Sequence, residues 1–154
     1  MAYRAAVVGA SGYTGAELLR LLAGHPEIEV VHVTADSNAG VRVVDLYPSL
    51  SAGYGDLRFC TLDPADLDGL DVAFVALPHG ESQRHAGALA SRVTHVVDIG
   101  ADFRLPASVY KEWYGEAHQA PDLLPAFAYG LPELFRSEVK ARPHVANPGC
   151  YPTA

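Results

Sequence analysis

Residues 5–34 constrain the fold more than any other stretch. Ala5-Ala-Val-Val8 is a short apolar run that reads as a buried strand, and Gly9, Gly12 and Gly15 follow it directly. Apolar residues at Ala16, Leu18, Leu19, Leu21 and Leu22, with Glu17 and Arg20 between them, predict a helix over Thr14–Ala23 that Gly24 and Pro26 stop. Ile28-Glu-Val-Val-His-Val-Thr34 is rich in β-branched residues and reads as a second strand. The three elements make a βαβ unit with a right-handed crossover. Glycines in the connecting turn let backbone N–H groups approach an anion, and the free N–H groups and dipole of the helix start favour negative charge. A nucleotide pyrophosphate fits such a turn. The spacing is G-x-x-G-x-x-G rather than the dinucleotide G-x-G-x-x-G, and glycine-rich turns also occur without a ligand.

Composition narrows the class. A chain of 154 residues suits one domain with one core, and 49% hydrophobic against 19% charged residues argues for a globular protein rather than a disordered one. Lys and Arg number 11 against 18 Asp and Glu, giving a net charge of −7 with no basic cluster, which argues against broad nucleic-acid binding. An acidic domain still holds an anionic cofactor where helix termini and single arginines set the local field. No apolar run reaches the roughly 18 residues of a membrane span. The segment from Met1 to Val8 reads as the first strand rather than a signal peptide, because its apolar part ends at the glycine turn. Two cysteines, Cys60 and Cys150, are too few for a disulfide framework and fit a reducing cytoplasm.

Asp36 lies 21 residues after Gly15, where the dinucleotide fingerprint places an acidic residue on the ribose hydroxyls. That favours NAD. Ser37 and Asn38 equally offer hydrogen bonds to a 2′-phosphate, and Asp36-Ser-Asn also reads as a solvated turn, so NAD and NADP both stay open on these residues. Residues 36–57 are expected to form a long irregular connection, Leu57–Thr61 a short strand with Cys60 as a small core residue, and Asp63–Gly69 a capped helical turn. Asp71-Val-Ala-Phe-Val-Ala-Leu77 is the central strand, a continuous apolar run of the kind buried on both faces of a parallel sheet. Pro78-His79-Gly80 at its carboxyl end is placed to face a cofactor, although a loop histidine is more often a hydrogen-bonding or exposed group.

Gly80–Ala90 is expected to be a helix with Glu81, Gln83 and Arg84 exposed, and Thr94–Gly100 a further strand. Asp102 and Arg104 then form either a surface ion pair or, with Arg104 free, a forked donor for a phosphate or carboxylate. Ala107–Tyr114 reads as a helix with Val109, Tyr110, Trp113 and Tyr114 as its packing face, residues 115–132 as an ordered loop, and Pro132–Lys140 as a short helix. A last short strand leads into Asn147-Pro-Gly149, with Cys150 at the start of a helix that Pro152 suits. A helix N-terminus favours a nucleophilic thiolate, while a lone cysteine is usually structural. A nucleophile needs walls and a helix needs more than four residues to bury a face, so a longer protein is expected to continue past Ala154. Strands alternating with helices make the fold class α/β, a Rossmann-like, doubly wound, mostly parallel sheet with helices on both faces.

Val8-Gly-Ala-Ser-Gly-Tyr-Thr-Gly-Ala-Glu17, Ala76-Leu-Pro-His-Gly80, Asp98-Ile-Gly-Ala-Asp-Phe-Arg-Leu105, Tyr129-Gly-Leu-Pro-Glu133 and Pro148-Gly-Cys-Tyr-Pro-Thr153 together resemble the N-terminal part of the N-acetyl-γ-glutamyl-phosphate reductase family. The resemblance covers nearly the whole chain. It implies NADPH-dependent reduction of an acyl phosphate to a semialdehyde with phosphate release, in arginine biosynthesis. Cys150 would be the nucleophile that forms a thioester, and Arg104 would hold the substrate phosphate. The cofactor would lie against Gly9, Ser11, Gly12, Tyr13, Thr14, Gly15, Ser37, Pro78 and His79, with no metal. NADP is favoured over NAD on this ground. The resemblance further implies a second domain, absent here, for substrate and homo-oligomer contacts, which carries the general-base histidine; residues 1–154 alone are expected to bind cofactor without turnover. Rival readings are a related aspartyl- or aminoadipyl-phosphate enzyme, disfavoured by Tyr151-Pro152 after the cysteine, and a stand-alone nucleotide-binding module.

Overall fold

A computed structural model describes residues 2–154. Six strands, β1 (Tyr3–Val8), β2 (Ile28–Thr34), β3 (Val72–Val75), β4 (His95–Asp98), β5 (Phe127–Tyr129) and β6 (His144–Ala146), form one sheet in the order β2-β1-β3-β4-β6-β5. Every pairing is parallel. The longer helices are α1 (Tyr13–Leu22), α4 (Ser82–Ala90), α5 (Ala107–Tyr114) and α6 (Pro132–Ala141), and three short ones are α2 (Val43–Leu46), α3 (Ser51–Tyr54) and α7 (Cys150–Thr153). From β1 the chain winds outward to β2, then returns to β3 and winds the other way. The carboxyl ends of β1 and β3 therefore flank the crevice where such sheets bind ligands.

β1 shows why the strands read as continuous apolar runs. Ala5 and Val7 pack with Leu19 and Leu22 of α1 on one face, and Ala6 and Val8 pack with Ala86 and Leu89 of α4 on the other. Alternate side chains on a strand point to opposite faces, and here both faces are covered by helices. Burying Leu19 completely stabilises the α1 contact by about 2–3 kcal/mol.

Several local expectations are corrected. Residues 36–57 are not irregular: α2, α3 and 3₁₀ turns at Asp36–Asn38 and Pro48–Leu50 order them. Val43, Leu50 and Tyr54 anchor this segment in the core of the α1 face. The Tyr54 hydroxyl donates to Leu19 O at 2.8 Å, and burial pushes its pKa up to about 12. Elements of four residues are too short to show a period. Leu57–Thr61 makes only isolated bridges, Thr34 with Cys60 and Arg42 with Arg58, rather than a strand. Residues 115–132 contain a 3₁₀ segment, Pro121–Ala126, and the edge strand β5. On α5 only Tyr110 is buried, and Trp113 is 76% exposed. Gln83, expected on the surface, is buried. The turn at Asp63 is capped as expected, its Oδ1 accepting from Ala65 N at 2.9 Å. No helix among the described residues is long and apolar enough to cross a membrane.

Candidate active site

The three glycines of the first turn do different work. Gly9 has φ +79°, and a Cβ there would lie 2.6 Å from the carbonyl oxygen of Ala76, so only glycine lets the turn press against the end of β3. A Cβ on Gly15 would lie 2.6 Å from Ala10 Cα, so that residue seats α1 on the turn. Gly12, by contrast, has open space: the nearest atom to its Cβ position is Gly9 O at 3.8 Å. It precedes an α1 start that has no side-chain cap and no acidic residue in its first turn. Tyr13 there is 95% exposed, and Ser11 turns its carbonyl to the Tyr47 hydroxyl at 2.6 Å. Uncapped N–H groups beside open space form a cradle that an anion fits.

A cavity of roughly 250 Å³ lies beside this turn, lined by Gly9, Thr34, Asp36, Leu77, Pro78 and Glu81, among others. Asp36 keeps one oxygen on Leu62 N–H at 3.3 Å, while Asn38 donates to the Ser37 hydroxyl, also at 3.3 Å. No lysine or arginine lines the cavity, and Ser37 itself stands next to it rather than in its wall.

A second cleft of roughly 650 Å³ brings together Thr14, Ile99, Arg104, Asn147, Gly149 and Cys150. Cys150 is exposed and opens α7, one residue after the Gly149 cap position. Arg104 Nε donates to Asn147 O at 2.7 Å, and Nη2 donates to Ile99 O at 2.9 Å. Those bonds fix the plane of the guanidinium. Nη1 lies 3.1 Å from the position of a Gly149 Cβ, directly beside the cysteine turn. The cleft thus joins a cysteine, an oriented cation and the start of α1, although they lie 46 and 136 residues apart in sequence. It can present a thiol to an electrophile while a fixed guanidinium holds an anionic group beside it.

The Asp102–Arg104 ion pair does not form. Asp102 is fully buried and turns away, accepting from Gly80 N at 2.9 Å and Gln83 N at 3.3 Å, with His79 Nδ1 at 3.1 Å. The His79 ring is held on Asp102 by that contact while staying 40% exposed. It stacks against Tyr110 and tilts onto Tyr114, and it lines neither cavity, whereas Pro78 keeps its place in the smaller one.

Asp98, at the end of β4, heads the Asp98–Leu105 motif but takes no role of its own from the sequence. It is 1% exposed; its Oδ1 accepts from the Ser82 hydroxyl at 2.7 Å and Gly100 N at 3.2 Å, and its Oδ2 has no partner. Burial above all pushes its pKa up to about 6, against the opposing effect of the Ser82 hydrogen bond. The signals in the sequence are an acidic residue closing an apolar run and its place at the head of that motif. Cys60 sits elsewhere, half-buried, with Sγ 3.3 Å from His32 Nε2, and burial pushes its thiol up. Among the described residues no cluster of three or more His, Cys, Asp or Glu is arranged to hold a metal.

Residues 4–142 match the family model described as semialdehyde dehydrogenase, NAD binding domain. The N-acetyl-gamma-glutamyl-phosphate reductase of Azotobacter vinelandii is 50% identical over 149 residues, which are 96% of this chain and 43% of that protein. Its namesake from Acidithiobacillus ferrooxidans is 49% identical over 152 residues, 98% of this chain and 44% of that one. The chain therefore spans less than half the length of these curated relatives. Among solved structures, aspartate semialdehyde dehydrogenase II from Vibrio cholerae, complexed with ASA, superposes with TM-score 0.63 at 18% identity, covering 98% of this chain and 43% of the other. Aspartate semialdehyde dehydrogenase with NADP from Candida albicans gives TM-score 0.55 at 20% identity, covering 98% and 44%. Those two likenesses establish the shared fold. With its six-stranded parallel sheet and its match over residues 4–142, the chain belongs to the semialdehyde dehydrogenase family, as its NAD-binding domain.

Proposed function

We propose that this domain serves the NADPH-dependent reduction of N-acetyl-γ-glutamyl phosphate to the semialdehyde. The observation that carries the reading is the single cleft in which Cys150, the Arg104 guanidinium and Thr14 from the glycine turn meet. The names of the relatives near 50% identity support the substrate. Cys150 Sγ, as thiolate, attacks the acyl carbon, the bond from that carbon to the phosphate oxygen breaks, and a thioester remains on the protein. Arg104 Nη1, held beside Gly149, stabilises the departing phosphate dianion. The nicotinamide cofactor, when bound, supplies the hydride that turns the thioester into an aldehyde and releases the thiolate. Gly12 and the uncapped start of α1 hold its pyrophosphate, and Pro78 lies against the nucleotide. In the whole protein, a following substrate and oligomerisation domain provides the general base, the acyl-group contacts and the homo-oligomer interface, so residues 1–154 bind nucleotide without turning over. The reaction is placed in the cytoplasm, in keeping with two free cysteines.

One observation favours NADH instead. The smaller cavity carries Asp36 and Glu81 with His85 as its one basic side chain and no arginine or lysine, a set that suits free ribose hydroxyls better than a 2′-phosphate. Fluorescence titration of the chain with both nucleotides decides between them: tighter NADPH binding supports the first reading, and tighter NADH binding replaces it. The chemistry is tested by mass spectrometry of the whole protein incubated with acyl phosphate and no nucleotide. An acyl adduct on Cys150 is expected, and an unmodified Cys150 in protein that turns over would reject the mechanism.

A further inference from the structure

Buried and part-buried hydrogen bonds join the turn after β3 to the loop that carries Arg104, and the position of each hydrogen along them follows from one backbone amide. Gln119 N–H donates to Gln83 Oε1 at 2.6 Å, which fixes the amide so that Nε2 donates to the Tyr110 hydroxyl oxygen at 2.8 Å. Tyr110 is wholly buried, so its own hydrogen goes to the partner still within reach, His79 Nε2 at 3.2 Å. A ring nitrogen that accepts carries no hydrogen. His79 therefore holds its hydrogen on Nδ1 and donates it to Asp102 Oδ1 at 3.1 Å.

Asp102 is anchored on every side. Its carboxylate also accepts from Gly80 N and Gln83 N, 22 and 19 residues away in sequence, and so caps α4, which has no side-chain cap at its own N-cap residue. Its carbonyl takes a hydrogen from His118 Nε2 at 2.8 Å, because Ala120 N–H occupies the other ring nitrogen. Two residues further on is Arg104.

We propose that His79 and Asp102 form a positioning bridge for Arg104, locking its loop to the turn beside the cofactor so that the guanidinium stays aimed at the Cys150 cleft. The proposal rests on reading Arg104 as the anion-binding group. Neither His79 nor Asp102 touches the reacting atoms; each acts through the placement of Arg104. Both ring nitrogens of His79 are thus engaged within the chain, and the residue lines neither cavity.

Heteronuclear NMR of the full chain tests the bridge without any ligand. In the wild type, the His79 ring hydrogen is expected on Nδ1, and Arg104 Nε–H, bonded to Asn147 O, is expected to exchange slowly. His79→Ala should speed that exchange about tenfold relative to Ile99 N–H, whose bond to Val75 O reports general loosening of the sheet end. His79→Asn places an amide hydrogen where Nδ1–H was and should restore the rate to within about twofold. A wild-type ring hydrogen on Nε2 overturns the proposal, as does an Arg104 rate unchanged in both His79→Ala and Asp102→Asn. Should Asp102→Asn fail to fold, Tyr110→Phe takes its place: it removes the donor to Nε2, so the Nε2–H form should gain population, and an unaltered tautomer overturns the bridge. Titration of Arg104→Met with inorganic phosphate examines the anion-binding reading separately. Phosphate binding unaffected by that change rejects the role of Arg104 in catalysis, while Arg104 exchange still measures the bridge.

Discussion

Replacing Asp98 by asparagine isolates the energy of one buried charge. In the folded chain this carboxyl is 1% exposed, has one oxygen without a partner and titrates at about 6. An unfolded aspartate titrates near 3.9, and the gap is worth about 3 kcal/mol. Because the folded state binds this proton more tightly, stability from Asp98 is greatest below about pH 4. It is lost as pH rises through about 6, where the carboxylate must ionise without water. In Asp98→Asn the amide oxygen keeps the Ser82 and Gly100 hydrogen bonds, and a neutral NH₂ takes the place of the orphaned oxygen. An unpaired buried amide costs about 1–3 kcal/mol, so the variant should equal or fall slightly below the wild type at pH 4. At pH 8 it should gain on the wild type by about 2.4 kcal/mol relative to that comparison, since some of the gap is already lost at pH 4. For a domain of this size that swing corresponds to roughly 5–10 °C in Tm. Urea unfolding at several pH values between 4 and 8, with equal m-values for the two proteins, measures it. A stability difference that stays flat across this range, or grows in the opposite direction, refutes the assignment of a buried, partner-poor carboxyl.

Three further outcomes are expected. Gly9→Ala forces a left-handed backbone at φ +79° and an overlap with Ala76 O, so it should destabilise the domain by at least about 2 kcal/mol in denaturant unfolding and weaken nucleotide binding. Leu19→Ala empties a fully buried site between α1 and β1 and should cost about 2–5 kcal/mol in the same assay. Cys150→Ser in the whole protein should abolish the acyl adduct, whereas nucleotide affinity, read by fluorescence, stays within about twofold because Cys150 opens a separate helix from the glycine cradle.

The parallel sheet, its first βαβ unit and the adjacency of glycine turn and strand ends were legible in the chain because they depend on local periodicity. Four apolar residues before a glycine, helical spacing in α1 and the β-branched run of β2 each state their own conformation. β2 was bounded correctly to the residue, and α1 to within one. The local chemistry of Asn147–Cys150 likewise placed the cysteine at a helix start. Segments held by distant contacts were not legible. Residues 36–57 look irregular until Val43, Leu50 and Tyr54 are seen to reach the α1 core. β5 is three residues long and exists because β6 lies beside it. The aromatic face expected of α5 reduces to Tyr110 as its buried member, since that ring is held by Gln83 and His79 while Tyr114 covers His79 from the surface.

What the sequence determined alone is a doubly wound nucleotide-type sheet with a cysteine presented on a turn, because strand and helix periods and glycine stereochemistry are properties of neighbouring residues. Only the tertiary structure decided which side of each polar residue matters. Asp102 and Arg104 stand two apart and share a loop, yet the carboxylate is drawn inward by the amides of Gly80, before α4, and Gln83, in its first turn, while the guanidinium is turned to the cleft by two carbonyls. Buried polar groups go where their hydrogen bonds can be completed, and those partners come from segments far away in the chain.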